Sequence, residues 1–317
     1  MATYRHSLPQ LEGGFFVTDG GMETTFIFLD GLQLPHFASF VMLASEEGRD
    51  RLQAYYRRYL DIARKHGAGF ILDTPTWRAN PDWGGKLGYT REALHAANVG
   101  SVALLAGLRG RYEQPGRPIV ISGAIGPRGD GYKAGNMDAS EAEDYHSVQI
   151  GSFAESDADM VTAFTLTNID EAIGVARAAA ARGMPCAISF TVETDGRLVT
   201  GRSMQEAIET TDAATGGSPA YYMINCAHPT HFAEALDHRA SWTKRIRGLR
   251  ANASRMSHAE LDESETLDAG DPVDLGQRYR QLMRKMPQVR IVGGCCGTDH
   301  RHVAAICEAC LPELARA

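Results

Sequence analysis

Eight short apolar runs, each followed by a segment with helical spacing, set the strongest limit on how this chain folds. The runs lie at 15–18, 70–72, 119–122, 160–164, 187–192, 221–224, 246–249 and 289–292. Helical spacing follows at 51–66, 91–109, 140–154, 169–182, 203–213, about 230–237, 273–286 and 299–315. Ser140 and Ser203 read as N-caps, and Glu206 completes a capping box with Ser203. Strands separated by helices must pair in parallel, because only a crossover returns the chain to the same end of a sheet. The runs are almost continuously apolar, as strands covered on both faces are. Eight such units in 317 residues predict an α/β fold, a single-domain (β/α)8 TIM barrel over 1–317 with its site at the C-terminal strand ends. The competing topology is an open doubly wound sheet, but no G-x-G-x-x-G follows the first run.

Charge and hydropathy narrow the function classes. The net charge is −7 with no Lys/Arg cluster, which argues against a nucleic-acid partner. No apolar run approaches the ~20 residues of a membrane span. Residues 1–6 lack the apolar core of a signal peptide, so a cytoplasmic location is expected. In that reducing setting, six cysteines point to metal binding, catalysis or packing. The oligomeric state leaves no signature.

Short motifs collect at the predicted strand ends: Asp19-Gly20-Gly21, Asp73 to Trp77, Gly123 to Gly126, Asn225-Cys226 and Gly294-Cys295-Cys296. A barrel would gather them at one rim. Three thiolates from Cys226, Cys295 and Cys296, with a fourth position vacant, would make a catalytic zinc site. Sulfur ligands suit zinc better than magnesium or manganese. A substrate thiol entering the vacant position would lose its proton to become a nucleophile for an electrophilic methyl group. Adjacent cysteines in a regular strand point to opposite faces, and Gly293, Gly294 and Gly297 relieve that by permitting an irregular backbone. Other arrangements compete. His228 could close a structural Cys₃His shell, and Cys295-Cys296 could form a vicinal disulfide in a redox protein. Cys186, Cys307 and Cys310 read as packing residues. The polar 252–272 segment is either a lid or a solvated excursion.

The chain resembles the homocysteine S-methyltransferase family, which includes betaine–homocysteine and S-methylmethionine–homocysteine methyltransferases. The resemblance runs from about Asp19 to Cys310. It is carried by Asp19-Gly20-Gly21-Met22, Ser122 to Pro127, Asn225-Cys226-Ala227-His228-Pro229 and Gly293-Gly294-Cys295-Cys296-Gly297. It implies a zinc-containing TIM barrel with Cys226, Cys295 and Cys296 as ligands, and Asp19 and Gly20 against the thiol substrate. The implied reaction moves a methyl group from a sulfonium or quaternary-ammonium donor to homocysteine, giving methionine. Both partners would be small molecules.

One position departs from the family pattern. Family members end the fourth strand with a Glu that binds the homocysteine amino group. Counting back from Glu171-Ala172 places Phe164 there. A desolvated ammonium without a carboxylate is costly, so Glu23 or Glu193 is expected to substitute, or the acceptor lacks a free amine. Trp77 could cover the cationic centre of the methyl donor, and Arg78 could bind a carboxylate; rim packing is the alternative for both. Trp83, Tyr89 and Tyr132 lie in loops without an assigned role. The altered position leaves open a different thiol or selenol acceptor, a related demethylase, or a non-catalytic zinc-binding barrel.

Overall fold

The computed structural model describes residues 2–264 and 266–314. Glu265, within the 252–272 segment, and residue 315, the last of the predicted closing helix, lie outside the described residues. The eight strands are β1 (Phe16–Val17), β2 (Gly69–Asp73), β3 (Ile119–Ile125), β4 (Met160–Leu166), β5 (Cys186–Phe190), β6 (Tyr221–Asn225), β7 (Ile246–Ala251) and β8 (Ile291–Gly294). They close in sequence order into one parallel barrel. Phe16 pairs with Gly69 on one side and with Ile291 on the other, so the short β1 is the strand that joins the ends.

The helices are α1 (Glu46–His66), α2 (Pro81–Lys86), α3 (Arg91–Tyr112), α4 (Ala139–Ala154), α5 (Ile169–Ala181), α6 (Met204–Thr215), α7 (Pro229–Phe232), α8 (His258–Asp262), α9 (Pro272–Lys285) and α10 (His300–Leu314). Local chemistry fixes their ends. Ser45 caps α1 by accepting from the Gly48 amide, and Gly67 ends it with φ 69°, a left-handed conformation that costs glycine little. The capping box predicted at Ser203 and Glu206 is present at the start of α6. Asp138, rather than Ser140, caps α4: its carboxylate accepts from the amides of Ser140 and Glu141, and its charge complements the helix dipole. The predicted 230–237 helix shrinks to the single turn of α7, and the 252–272 segment carries α8, with its own Ser257–Glu260 capping box.

Two apolar layers build the core. Phe16, Ile71, Val120, Met160, Phe164, Ala187, Tyr221, Met223 and Ile291 fill the barrel interior. A larger layer, including Cys186, Cys307 and Cys310, lies between barrel and helices, which bears out the packing role expected for those cysteines. The N-terminal segment plugs the bottom: Leu8 joins the interior layer, and the amides of Thr3 and Tyr4 donate to Asp159 Oδ1. Closure at the bottom leaves the C-terminal strand ends as the mouth. No helix among the described residues is long and apolar enough to cross a membrane.

Candidate metal centre

The sulfurs of Cys226, Cys295 and Cys296 converge at this mouth, with all three Sγ atoms within 4.8 Å of one another. Cys226 follows β6, and the other two follow β8. Cys226 and Cys295 are joined as a disulfide, whereas Cys296 is free; the vicinal Cys295–Cys296 bond considered from the sequence is not formed. Four tetrahedral bonds of ~2.3 Å would hold sulfurs about 3.8 Å apart around zinc. The Cys226–Cys296 separation of 3.9 Å already matches that spacing, and reduction of the Cys226–Cys295 bond would free the other two sulfurs to take it up. His228 is turned away: its Nδ1 accepts from the Thr230 amide as the cap of α7, and it stands outside the sulfur cluster.

The backbone bends to deliver these sulfurs. Cys226 has φ 53° and Thr165 has φ 62°, conformations that a β-branched residue in particular rarely adopts. The register between β4 and β5 shifts between Ala163 and Leu166, which places Thr165 in a bulge. Asn225 ties the two bends together. Its Oδ1 accepts from the Thr165 amide at 3.0 Å, and its Nδ2 donates to Thr165 Oγ1 at 2.9 Å. The Thr165 hydroxyl is then free to donate toward Cys226 Sγ at 3.9 Å. Glycine is required beside the paired cysteines: a Cβ on Gly293 would fall 1.9 Å from Thr18 Oγ1, and one on Gly294 would fall 2.0 Å from Thr298 Oγ1. A Cβ on Gly21 would lie 2.6 Å from the Cys295 carbonyl, so the Asp19-Gly20-Gly21 turn packs directly on the loop that carries the paired cysteines.

Charge at the mouth centres on Arg250, the penultimate residue of β7. It pairs with Asp19 and, at 2.7 Å, with Asp73, and its Nε donates to the Gly294 carbonyl. Tyr55 of α1 donates to Asp19 Oδ2 at 2.9 Å. The Arg250 guanidinium lies 5.0 Å from the centre of the Phe164 ring. One cation cannot fully neutralise two buried carboxylates. Burial accordingly lifts Asp73 to about 7, against the opposing pull of Arg250 and with a further push from Asp19. Because the folded state holds this proton more tightly than the unfolded state does, the associated stability is present below about pH 4 and lost as pH rises through 7. An Asp73→Asn variant should therefore lose less stability than the parent between pH 5 and pH 8, measured as urea midpoints. Equal slopes for the two proteins would remove Asp73 as the source.

The remaining candidates take distinct places. Glu23 accepts from Ser39 Oγ, and burial pushes its carboxyl up. It has no arginine partner among the described residues, and its charge acts on Cys296 and Arg78. Glu193 is engaged by His258 Nδ1 at 3.0 Å. His258 opens α8, so the 252–272 segment reaches the centre: its Nε2 donates to the Cys226 carbonyl at 2.6 Å, and Tyr132 packs on its ring at 4.4 Å. The Tyr132 hydroxyl lies 3.7 Å from Cys296 Sγ. Trp77 donates to the Phe164 carbonyl, and Arg78 covers its ring at 4.0 Å. Arg250, Tyr55, Tyr132 and His258 were missed as site residues. Of these only Arg250 carried a signal, a charge within a strand at its C-terminal end.

Comparison with known proteins agrees with this fold. The family described as homocysteine S-methyltransferase matches residues 16–310. No curated protein matches significantly. Among solved structures, the oxidized form of the homocysteine methyltransferase MmuM from Escherichia coli superposes with a TM-score of 0.75 at 20% identity, covering 99% of this chain and 100% of that chain. The metallated form of the same protein gives 0.73 at 20% identity, covering 96% and 98%. Its apo form gives 0.68 with the same identity and coverage. At this identity the superpositions establish the shared fold.

Proposed function

The chain belongs to the homocysteine S-methyltransferase family and is a methyltransferase acting on small molecules; from that premise we propose that it transfers a methyl group from a sulfonium or quaternary-ammonium donor to homocysteine, with zinc held by Cys226, Cys295 and Cys296. The convergence of three sulfurs at the barrel mouth carries this reading. Zinc at such a site supplies a position where a thiol gives up its proton near neutral pH. The chain's own residues orient and shield. Asn225 directs Nδ2 toward Cys295 Sγ at 3.9 Å, and Tyr132 directs its hydroxyl toward Cys296. Both place donors beside thiolate charge. The Asp19-Gly20-Gly21 turn packs on the Cys295 backbone through Gly21, and in this reading it positions the acceptor. Tyr132 and His258 pack on each other at 4.4 Å beside the centre, where Cys296 is exposed to an incoming substrate.

Glu23 is the acid best placed to bind the homocysteine ammonium. Asp19 and Asp73 are committed to Arg250, and Glu193 to His258. Loss of one charged hydrogen bond predicts that Glu23→Gln raises the KM for homocysteine about tenfold to a hundredfold with little change in kcat. An unchanged KM eliminates Glu23 as the anchor. The overall reading is tested with reduced, zinc-loaded protein supplied with homocysteine and, in turn, S-methylmethionine, betaine, dimethylsulfoniopropionate and S-adenosylmethionine. Methionine is expected from at least one donor; none from any donor overturns the proposal. Phe164, apolar where the family's pattern has Glu, favours a second reading in which the acceptor is a thiol or selenol without an amine. Faster methylation of 3-mercaptopropionate than of homocysteine in the same assay selects it.

A further inference from the structure

Among the described residues three arginines are buried: Arg78, Arg109 and Arg250, each 7–8% exposed. Two of them meet carboxylates. Arg109 pairs with Asp159 at 2.7 Å, and Arg250 pairs with Asp19 and Asp73. Arg78 forms no ion pair among the described residues. It donates once, from Nη1 to the Gly129 carbonyl at 3.0 Å, and its buried Nε has no partner at all. The guanidinium lies over two indoles, 4.0 Å from the centre of Trp77 and 3.8 Å from that of Trp83. Stacking covers the faces of the cation but does not satisfy its N–H edge. Burying a guanidinium with one neutral acceptor is costly unless an anion completes it. The shortfall is visible in the acidity of Arg78, which burial pulls down to about 10.

Arg78 follows β2 at the barrel mouth. Trp77 and Trp83 are half-exposed at the mouth. The Trp77 indole donates to the Phe164 carbonyl, at the position where the family pattern calls for an amine anchor. Tyr132 lies between Arg78 and the sulfurs: the Arg78 charge acts on its phenol, and its hydroxyl lies 3.7 Å from Cys296 Sγ. The acids whose charges reach Arg78 are Asp130 and Glu23. Asp130 is taken by Lys133 at 3.5 Å and by the Tyr132 amide. Glu23 accepts from Ser39 Oγ and forms no ion pair among the described residues. A buried cation and a partly buried acid that act on each other without touching match the carboxylate and ammonium of an α-amino acid.

We propose that Arg78 is the receptor for a substrate carboxylate at the barrel mouth. A guanidinium edge binds a carboxylate through two parallel hydrogen bonds, which a neutral carbonyl cannot replace. The proposal rests on this mouth being the methyl-transfer site, and the carboxylate belongs either to the acceptor or to the donor. The test uses reduced, zinc-loaded parent, Arg78→Met, which keeps the stem between the indoles, and Arg78→Lys, which keeps the charge without the fork. The acceptor arm compares homocysteine with 3-aminopropane-1-thiol, which lacks the carboxylate. The donor arm compares S-methylmethionine with trimethylsulfonium.

Arg78→Met should raise the KM of the carboxylate-bearing compound in one arm about tenfold to a hundredfold, leave its carboxylate-free analogue unchanged, and recover in part in Arg78→Lys. The arm that moves identifies the source. Two of the chain's three tryptophans flank Arg78, so indole emission reports occupancy without turnover. Carboxylate-dependent quenching in a parent that makes no methionine would count against methyl transfer and still support the receptor. An Arg78→Met protein with parental zinc content, parental KM values and parental emission titrations for all four compounds overturns the proposal.

Discussion

Replacing Cys226, Cys295 or Cys296 with alanine is expected to strip the metal and lower methyl transfer by roughly a thousandfold or more. In the proposed site each sulfur would supply one of three protein bonds, and two remaining thiolates would not hold zinc against solvent and chelator. The three variants separate under thiol titration. In Cys296→Ala the Cys226 and Cys295 sulfurs stay in bonding contact, so the pair can close without reductant and reopen with it. In Cys226→Ala and Cys295→Ala that pair no longer exists. Cys226→Ala also places alanine at φ 53°, so Cys226→Ser and a thermal melt distinguish loss of the ligand from loss of the backbone bend. The measurement is zinc content by atomic absorption together with methionine formation, both in reductant. An alanine variant that keeps full zinc and full rate would exclude that sulfur from the centre.

The barrel was legible because its strands are covered on both faces. Residues 70–72, 119–122 and 221–224 read as apolar runs, broken only by Ser122, and fall inside β2, β3 and β6. Boundaries failed where small or polar residues continue a strand. β3 runs on through Gly123 to Ile125, and β8 is Ile291–Gly294 rather than 289–292, because glycine carries little strand signal although close packing here demands it. The sulfur trio was legible for the same reason that a barrel gathers strand ends. Its surroundings were not. The bulge at Thr165 depends on pairing between β4 and β5, and the stacking of Tyr132 on His258 joins a loop to the start of the one-turn helix α8, neither long enough to show a period. Tyr55 counted as one residue of an apolar helix stripe, yet its hydroxyl reaches Asp19. The short 3₁₀ and π-helical turns between Thr24 and Ala44 went unread, having neither a period of 2 nor one of 3.6.

Arg250→Met is expected to destabilise the protein by about 3–5 kcal/mol, the cost of leaving buried carboxylates without their cation. At roughly 2 °C per kcal/mol for a chain of this size, the thermal midpoint should drop by about 6–10 °C. The loss is larger than for a surface pair because Arg250 spans the barrel. It sits on β7, pairs with Asp19 just after β1 and Asp73 at the end of β2, and donates to Gly294 at the end of β8. These are the strands on either side of the point where the barrel closes. Removing one carboxylate from the variant should restore part of the loss, so Arg250→Met with Asp73→Asn is expected to melt above Arg250→Met alone, and the double-mutant cycle reads the coupling. Simple additivity would show that the pair contributes little and that the cost lies in packing against Phe164. The same geometry accounts for Phe164 itself. A glutamate there would meet the guanidinium now 5.0 Å from the ring and would place a third acid around one cation. A phenyl ring offers its π face to Arg250 without adding charge. In this chain the strand-4 position therefore serves the arginine beneath the mouth, which is why the proposed recognition of a substrate's charged ends is assigned to Glu23 and Arg78, beyond β1 and β2.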